Sequence, residues 1–179
     1  MKLETQIKLE KDLEFQEIIQ DLIQNPTVQE MKNFRQHFDT SCYEHCYLAA
    51  YYCYRISKKF HLDYRSATRA AMLHDLFLYD WRQKTDRHGL HAFTHGRTAC
   101  ENACKLFELN EKEKDIIQKH MWPVTPALPK SREAFLLTFV DKYCAIQESL
   151  EGAKLQTLPK RLYRYAYVFF TVILLKKFW

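Results

Sequence analysis

Three glycines in 179 residues leave this chain very little freedom to turn tightly. Five prolines add few further breaks, and Leu, Lys, Glu, Gln, Ala and Arg, all good helix formers, fill most segments. Apolar residues make up 47% of the chain and aromatics 15%, enough to build a packed core rather than a disordered tail. The expectation is an all-α fold, a bundle of long helices joined by few loops.

Capping residues mark where those helices start. Residues 3–24 carry Leu3, Ile7, Leu9, Leu13, Ile18, Ile19, Leu22 and Ile23 among charges and read as an amphipathic helix ended by Asn25-Pro26. Thr27 to about Phe38 reads as a short second helix. Ser41 followed by Glu44 forms a capping-box signature for a helix from about Cys42 to Phe60. Asp63 caps the next, expected to run to about Leu78. Residues 79–93 read as a loop, Thr94 as the cap of a helix to Glu108, and Asn110 as the cap of a short helix ending at Trp122-Pro123. Ser131 opens a long helix to about Glu151, and a last one is expected from Leu158 to Lys177. With no repeat and no linker, residues 1–179 read as one domain: N-terminal helices over 3–35, a core over about 36–150, and a basic, apolar C-terminal helix over about 158–177.

Charge is unevenly placed. Six of the 27 cations and none of the 22 acids follow Glu151. Within that tail, Tyr165 to Leu175 is an unbroken apolar run of 11 residues, whereas a bilayer span needs about 20. The run suits burial, a homodimer contact or peripheral attachment to a membrane surface; nucleic acid is not an expected partner. Cys42/Cys46 and Cys100/Cys104 stand at helical neighbour spacing, which fits reduced thiols and a cytoplasmic location. The charged N-terminus does not read as a signal peptide.

The histidines carry the chemistry. His45, His74 with Asp75, His95, His120 and Asp141 each fall on a different expected helix or at its end. The gaps between them, 29, 20, 25 and 21 residues, match one helix plus its connection, so consecutive antiparallel helices bring all six to one level of a bundle. Imidazole and carboxylate together suit transition metals such as Fe, Mn, Zn, Ni or Co. Adjacent His74 and Asp75 would diverge by about 100° on a helix, letting the carboxylate reach a second ion. Two ions about 3.5–4 Å apart can bridge a hydroxide and neutralise a phosphoryl group under attack.

The segments CYEHCYLAAYY, AAMLHDLF and FVDKYCA resemble the HD superfamily of metal-dependent phosphohydrolases, whose ordered signature is H…HD…D. The resemblance implies an HD-domain helical bundle with His45, His74, Asp75 and Asp141 as ligands of one metal. THGRTACENACKLF and DIIQKHMWP are further similar to the binuclear branch, which includes HD-GYP phosphodiesterases and HD-type symmetrical diadenosine tetraphosphate hydrolases. That likeness implies His95 and His120 as ligands of a second metal, with Asp75 bridging and Fe or Mn favoured. His91 is the alternative to His95; Ala99, four residues after His95, matches the small residue of the family pattern.

The implied activity is hydrolysis of a nucleotide or dinucleotide phosphate by a metal-bridging hydroxide. Two departures argue against cyclic dinucleotides: Phe77 and Leu78 stand where the phosphodiesterase branch has Gly-Lys, and the GYP residues are absent. Phosphate contacts must then come from Arg82, Arg97, Lys119 or Lys142. His91 and His37 are further substrate-side candidates, and Asp80, six residues after His74, is a candidate general acid or acceptor for a ligand imidazole. Arg97 is also a catalytic candidate, one turn into the helix of His95. The same ligand order occurs in HD-fold di-iron oxygenases, and a non-catalytic nucleotide-binding HD module is the other alternative.

Overall fold

A computed structural model describes residues 12–37, 39–83 and 89–152. The expected start of the first helix, His88 and the C-terminal helix with its 165–175 run lie outside the described residues.

Seven α-helices account for the architecture among the described residues: α1 Leu13–Ile23, α2 Pro26–Gln29, α3 Cys42–Lys59, α4 Tyr64–Leu73, α5 His91–Leu106, α6 Glu111–Lys119 and α7 Arg132–Gly152. The fold is all-α, as expected. No described helix is long and apolar enough to cross a membrane. The caps act where the sequence puts them. Ser41 and Glu44 satisfy each other's backbone N–H groups, as do Asn110 and Glu113. Asp63 accepts from the Ser66 amide at 3.1 Å, and Ser131 Oγ accepts from the Ala134 amide at 3.1 Å. Each such bond stabilises its helix by about 1 kcal/mol.

Three boundaries differ from expectation. Helix α2 is a single turn, followed by a 3-10 turn at Glu30–Asn33; then Phe34 turns extended (φ −108°, ψ 125°). The chain forms a small antiparallel hairpin, β1 Arg35–His37 with β2 Thr40–Ser41, where a helix to Phe38 was expected. Helix α4 stops at Leu73 rather than Leu78: Leu76 N–H donates to Leu73 O, Phe77 N–H to Asp75 O, and Leu78 adopts φ +56°. Leu76 and Phe77 stay buried through this turn, so the apolar pattern runs on past the helix it appeared to extend. Helix α5 begins at His91, and Thr94 lies within its first turn, donating back to Leu90 O at 3.2 Å. Leu90 supplies no side-chain cap, which is why no sequence signal marked this start.

Helix α4 is central, packing on α1, α3, α6 and α7. Its Ala67, Ala70 and Ala71 are buried and short, so neighbouring backbones come close. Helix α1 lays Phe15, Ile18, Ile19 and Leu22, one helical stripe, into the core. Phe15 is fully buried with ring contacts to Tyr47, Tyr51 and Tyr54 of α3 at 5.5, 5.3 and 5.6 Å. Arg69 of α4 clamps the same helix, pairing with both oxygens of Asp21 at 2.7 and 2.8 Å.

Phe15→Ala should therefore lower the unfolding free energy by about 3–5 kcal/mol in urea titration. Leu13→Ala, at a side chain 80% exposed, should change it by less than about 0.5 kcal/mol.

Candidate metal centre

Helix ends, more than helix middles, deliver the side chains of this centre. His74 caps the C-terminus of α4 and Asp75 follows it; His120 caps the C-terminus of α6. His45 and His95 sit in the first turns or just beyond of α3 and α5, and Asp141 lies mid-way along α7. The divergence of His74 and Asp75 thus comes from a post-helical turn, not from helical spacing. All six residues are buried, although these types rarely are.

Their donor atoms converge. His45, His74 and Asp141 form one group, and His74, Asp75 and His120 another, with ligand atoms in each within 4.8 Å of one another. Asp141 Oδ1 stands 3.1 Å from His45 Nε2 and 3.6 Å from His74 Nε2. Asp75 Oδ2 stands 3.5 Å from His74 Nε2, whereas its Oδ1 faces His95 Nε2 at 3.4 Å and His120 Nε2 at 3.6 Å. His95 and His120 approach Nε2 to Nε2 at 2.8 Å.

Three of the rings are fixed from behind in the same way. The Nδ1–H groups of His74, His95 and His120 donate to the carbonyls of Ala71, His91 and Ile117 at 2.7, 2.7 and 2.8 Å. A carbonyl can only accept, so each ring keeps its Nε2 lone pair for the centre. Among the described residues, His74 Nε2 and Asp75 Oδ1 are buried with no hydrogen-bond partner. Orphaned acceptors of this kind cost stability unless a cation meets them. Donor atoms each about 2.1 Å from one ion stand roughly 3.0–3.4 Å apart, close to the spacings here. The residues fit a divalent transition metal.

Electrostatics points the same way. Burial opposes charge on His45 and His74, yet Asp141 and Glu148 at His45, and Cys46, Asp75 and Asp141 at His74, hold both well above the usual imidazole range. Burial raises Asp75 less than the surrounding imidazoles lower it, leaving it at about 2, and Asp141 is held far down in the same way. His120 is pushed to about 3 by burial and by the neighbouring His74 and His95, so it stays neutral. This centre attracts positive charge at its His45 and His74 side and presents uncharged imidazole at His120.

Two residues that sequence reasoning missed support it. Gln36, from the unexpected hairpin, donates from Nε2 to Asp75 Oδ2 at 2.6 Å. Glu148 places its two carboxylate oxygens 3.1 and 3.0 Å from His45 Nδ1. Its signal was a spacing of seven from Asp141, two turns of one helix, with Cys144 buried between. Cys42 and Cys46 lie against Asp75 and His74, but burial raises both thiols, Cys46 strongly, and Cys42 Sγ only donates to Asp75 O at 3.2 Å.

The remaining expected residues divide. Lys142 is beside the centre: its Nζ donates to His120 O at 3.1 Å and Thr138 O at 3.2 Å and stands 3.8 Å from Asp141 Oδ2. Its side chain is 34% exposed, and burial lowers its pKa. His91 stands off the ligand group, stacked on His95 at 4.4 Å and on Trp81 at 5.5 Å, with its Nδ1 3.1 Å from Tyr79 OH. Arg97 corrects the expectation: two residues past His95 it points to the opposite side of α5, 72% exposed, paired with Glu101. Lys119 pairs with Asp115 at 2.5 Å on α6. Asp80 shapes its own turn, accepting from the Arg82 amide and Gln83 Nε2 at 3.0 and 3.2 Å. Arg82 donates to the carbonyls of Arg35 and Gln36 at 2.9 and 3.0 Å. His37 ends β1, and its side chain lies outside the described ones.

Gly96 explains the close approach of His95 and His120. A Cβ there would lie 3.0 Å from Gln118 O, 3.2 Å from Ile117 O and 3.3 Å from His120 Cε1. A Cβ there would press on the α6 backbone and on the His120 ring, so the glycine eases the contact of α5 with α6 at this level.

A family model for the HD domain matches residues 42–146. No curated protein and no solved structure matches the chain. The matched span contains all six clustered residues and Lys142, but not Gln36, Glu148 or α1.

Gly96→Ala should cost about 1–3 kcal/mol of stability by overpacking, measured in urea, and lower the metal content of purified protein as His95 and His120 are driven apart. Unchanged stability and metal content would mean that the contact of α5 with α6 does not position the pair.

Proposed function

Because the chain belongs to the HD-domain family, whose members are typically metal-dependent phosphohydrolases, we propose that it is a binuclear phosphohydrolase acting on a nucleotide or dinucleotide phosphate. The orientation of Asp75 carries this reading. One of its oxygens faces His74, the other faces His95 and His120, so a single carboxylate stands between two sets of imidazole nitrogens. On this reading His45, His74 and Asp141 would hold one ion, His95 and His120 would hold a second, and Asp75 would serve both.

Divalent ions bound there, with Fe or Mn favoured, would lower the pKa of water and neutralise charge on a phosphoryl group. The chain's own residues do the rest. Gln36 steadies Asp75 by donating to its Oδ2. The main-chain carbonyls behind His74, His95 and His120 fix the tautomer of each ring, so that Nε2 is the nitrogen turned to the centre. Asp141 has the most exposed side chain of the six, at 11%, so substrate reaches the centre from its side. Lys142 stands at that point. Two carbonyls hold its ammonium in place, and the partly exposed cation binds the substrate phosphate as it arrives.

The decisive experiment measures metal in wild type and His120→Ala, both purified without added metal or chelator. About two transition-metal ions per chain, falling to about one in the variant, together with Mn- or Fe-dependent phosphate release from nucleotides, is the expected result. No more than one ion in wild type, unchanged in the variant, would overturn the binuclear reading. Lys142→Met should raise KM roughly 10–100-fold for a phosphate substrate while metal content stays at the wild-type level, as loss of a charged hydrogen bond worth about 1.5–3 kcal/mol requires.

A further inference from the structure

Four imidazoles face the centre, and one of them is held differently from the rest. His74, His95 and His120 each donate Nδ1–H to a neutral carbonyl three or four residues back in their own helix. His45 instead faces a full carboxylate, with Nδ1 3.1 and 3.0 Å from the two oxygens of Glu148. Both groups are buried, His45 completely and Glu148 with 6% exposure. The two nitrogens of an imidazole point in widely different directions, so Glu148 sits behind the ring while Asp141 Oδ1 meets its front at 3.1 Å. One helix supplies both carboxylates, two turns apart.

We propose that Glu148 is a positioning residue for His45, setting its ring orientation and its donor strength so that the ion at His45, His74 and Asp141 binds more tightly than its neighbour and fills first. The proposal rests on the reading of the buried group as a metal centre. A carboxylate accepting the Nδ1 proton pulls electron density through the ring toward Nε2, where a carbonyl does so less. It also fixes the ring from behind with two oxygens, which restricts both its tilt and its tautomer. In the neighbouring set the partners behind His95 and His120 are the neutral carbonyls of His91 and Ile117. Burying a carboxylate behind a ligand is costly unless the charge is used, and a metal ion on the far side of the ring uses it.

The test is titration of the metal-free full-length chain with Co(II), followed by calorimetry and by the visible absorption of the bound ion, for wild type, Glu148→Gln and Glu148→Ala. The amide keeps an acceptor for Nδ1–H without the charge, so it separates donor strength from orientation. The tighter of two binding steps should weaken about tenfold in Glu148→Gln and about 10–100-fold in Glu148→Ala, with an altered spectrum for the first ion and a second step within about twofold of wild type. A Glu148→Ala protein that keeps the wild-type far-UV spectrum and binds its first ion within about twofold of wild type would overturn the proposal, as would a loss confined to the second step. A wild type that binds one ion only, weakened in both variants, would uphold the role of Glu148 and overturn the two-ion reading. Absence of Co(II) binding by wild type would overturn both.

Discussion

Three carboxylates, those of Asp75, Asp141 and Glu148, are buried together against four imidazoles, and the fold is arranged around keeping that assembly balanced. Negative charge at this density is unfavourable in a protein interior unless positive charge lies within a few ångströms. His45 and His74 answer it by drawing protons, and the ammonium of Lys142 answers it at the open edge. A divalent ion would answer it more completely, because it would take the place of those protons and meet His74 Nε2 and Asp75 Oδ1 together. Metal and fold are linked, since an ion bound only by the assembled site favours the assembled state.

The helices meet this demand with few residues. The turn that ends α4 puts His74 and Asp75 side by side, and the end of α6 delivers His120; in both places the histidine's own helix supplies the carbonyl that fixes its ring. Gly96 then spares α5 and α6 a tight Cβ contact at this level. The hairpin contributes Gln36, a neutral donor that ties Asp75 without competing for its charge. Helix α1 sits remote from this chemistry and fills the other side of α3 and α4 with Phe15 and its neighbours.

How much of this was legible in the sequence depended on range. Caps are local, so Ser41, Asp63, Asn110 and Ser131 marked their helices within a residue or two. The ordered histidines and aspartates were legible because one helix plus one connection sets a recurring spacing. The hairpin was not, since its two strands span only three and two residues and carry no alternating pattern. The end of α4 was hidden because Leu76 and Phe77 continue the apolar run into a buried turn. Arg97 was misplaced by treating nearness in sequence as nearness in space; two residues along a helix face nearly opposite ways. Glu148 and Gln36 were missed because a supporting residue is recognised by what it touches, 103 and 39 residues away in sequence.

One circuit of contacts joins the surface loop to the buried ligands. Arg82 lies over the Trp81 ring at 4.7 Å and donates to Gln36 O; Gln36 holds Asp75; Asp75 faces His95; and His95 stacks on His91, which stacks back on Trp81. Such a closed linkage has fewer independent motions than its parts. The loop at Trp81 and Arg82 thus reaches the centre by two routes, through the ring column to His95 and through the hairpin to Asp75. The two routes end on side chains whose Nε2 and Oδ1 stand 3.4 Å apart, so unequal movement along them would change the separation of that one pair.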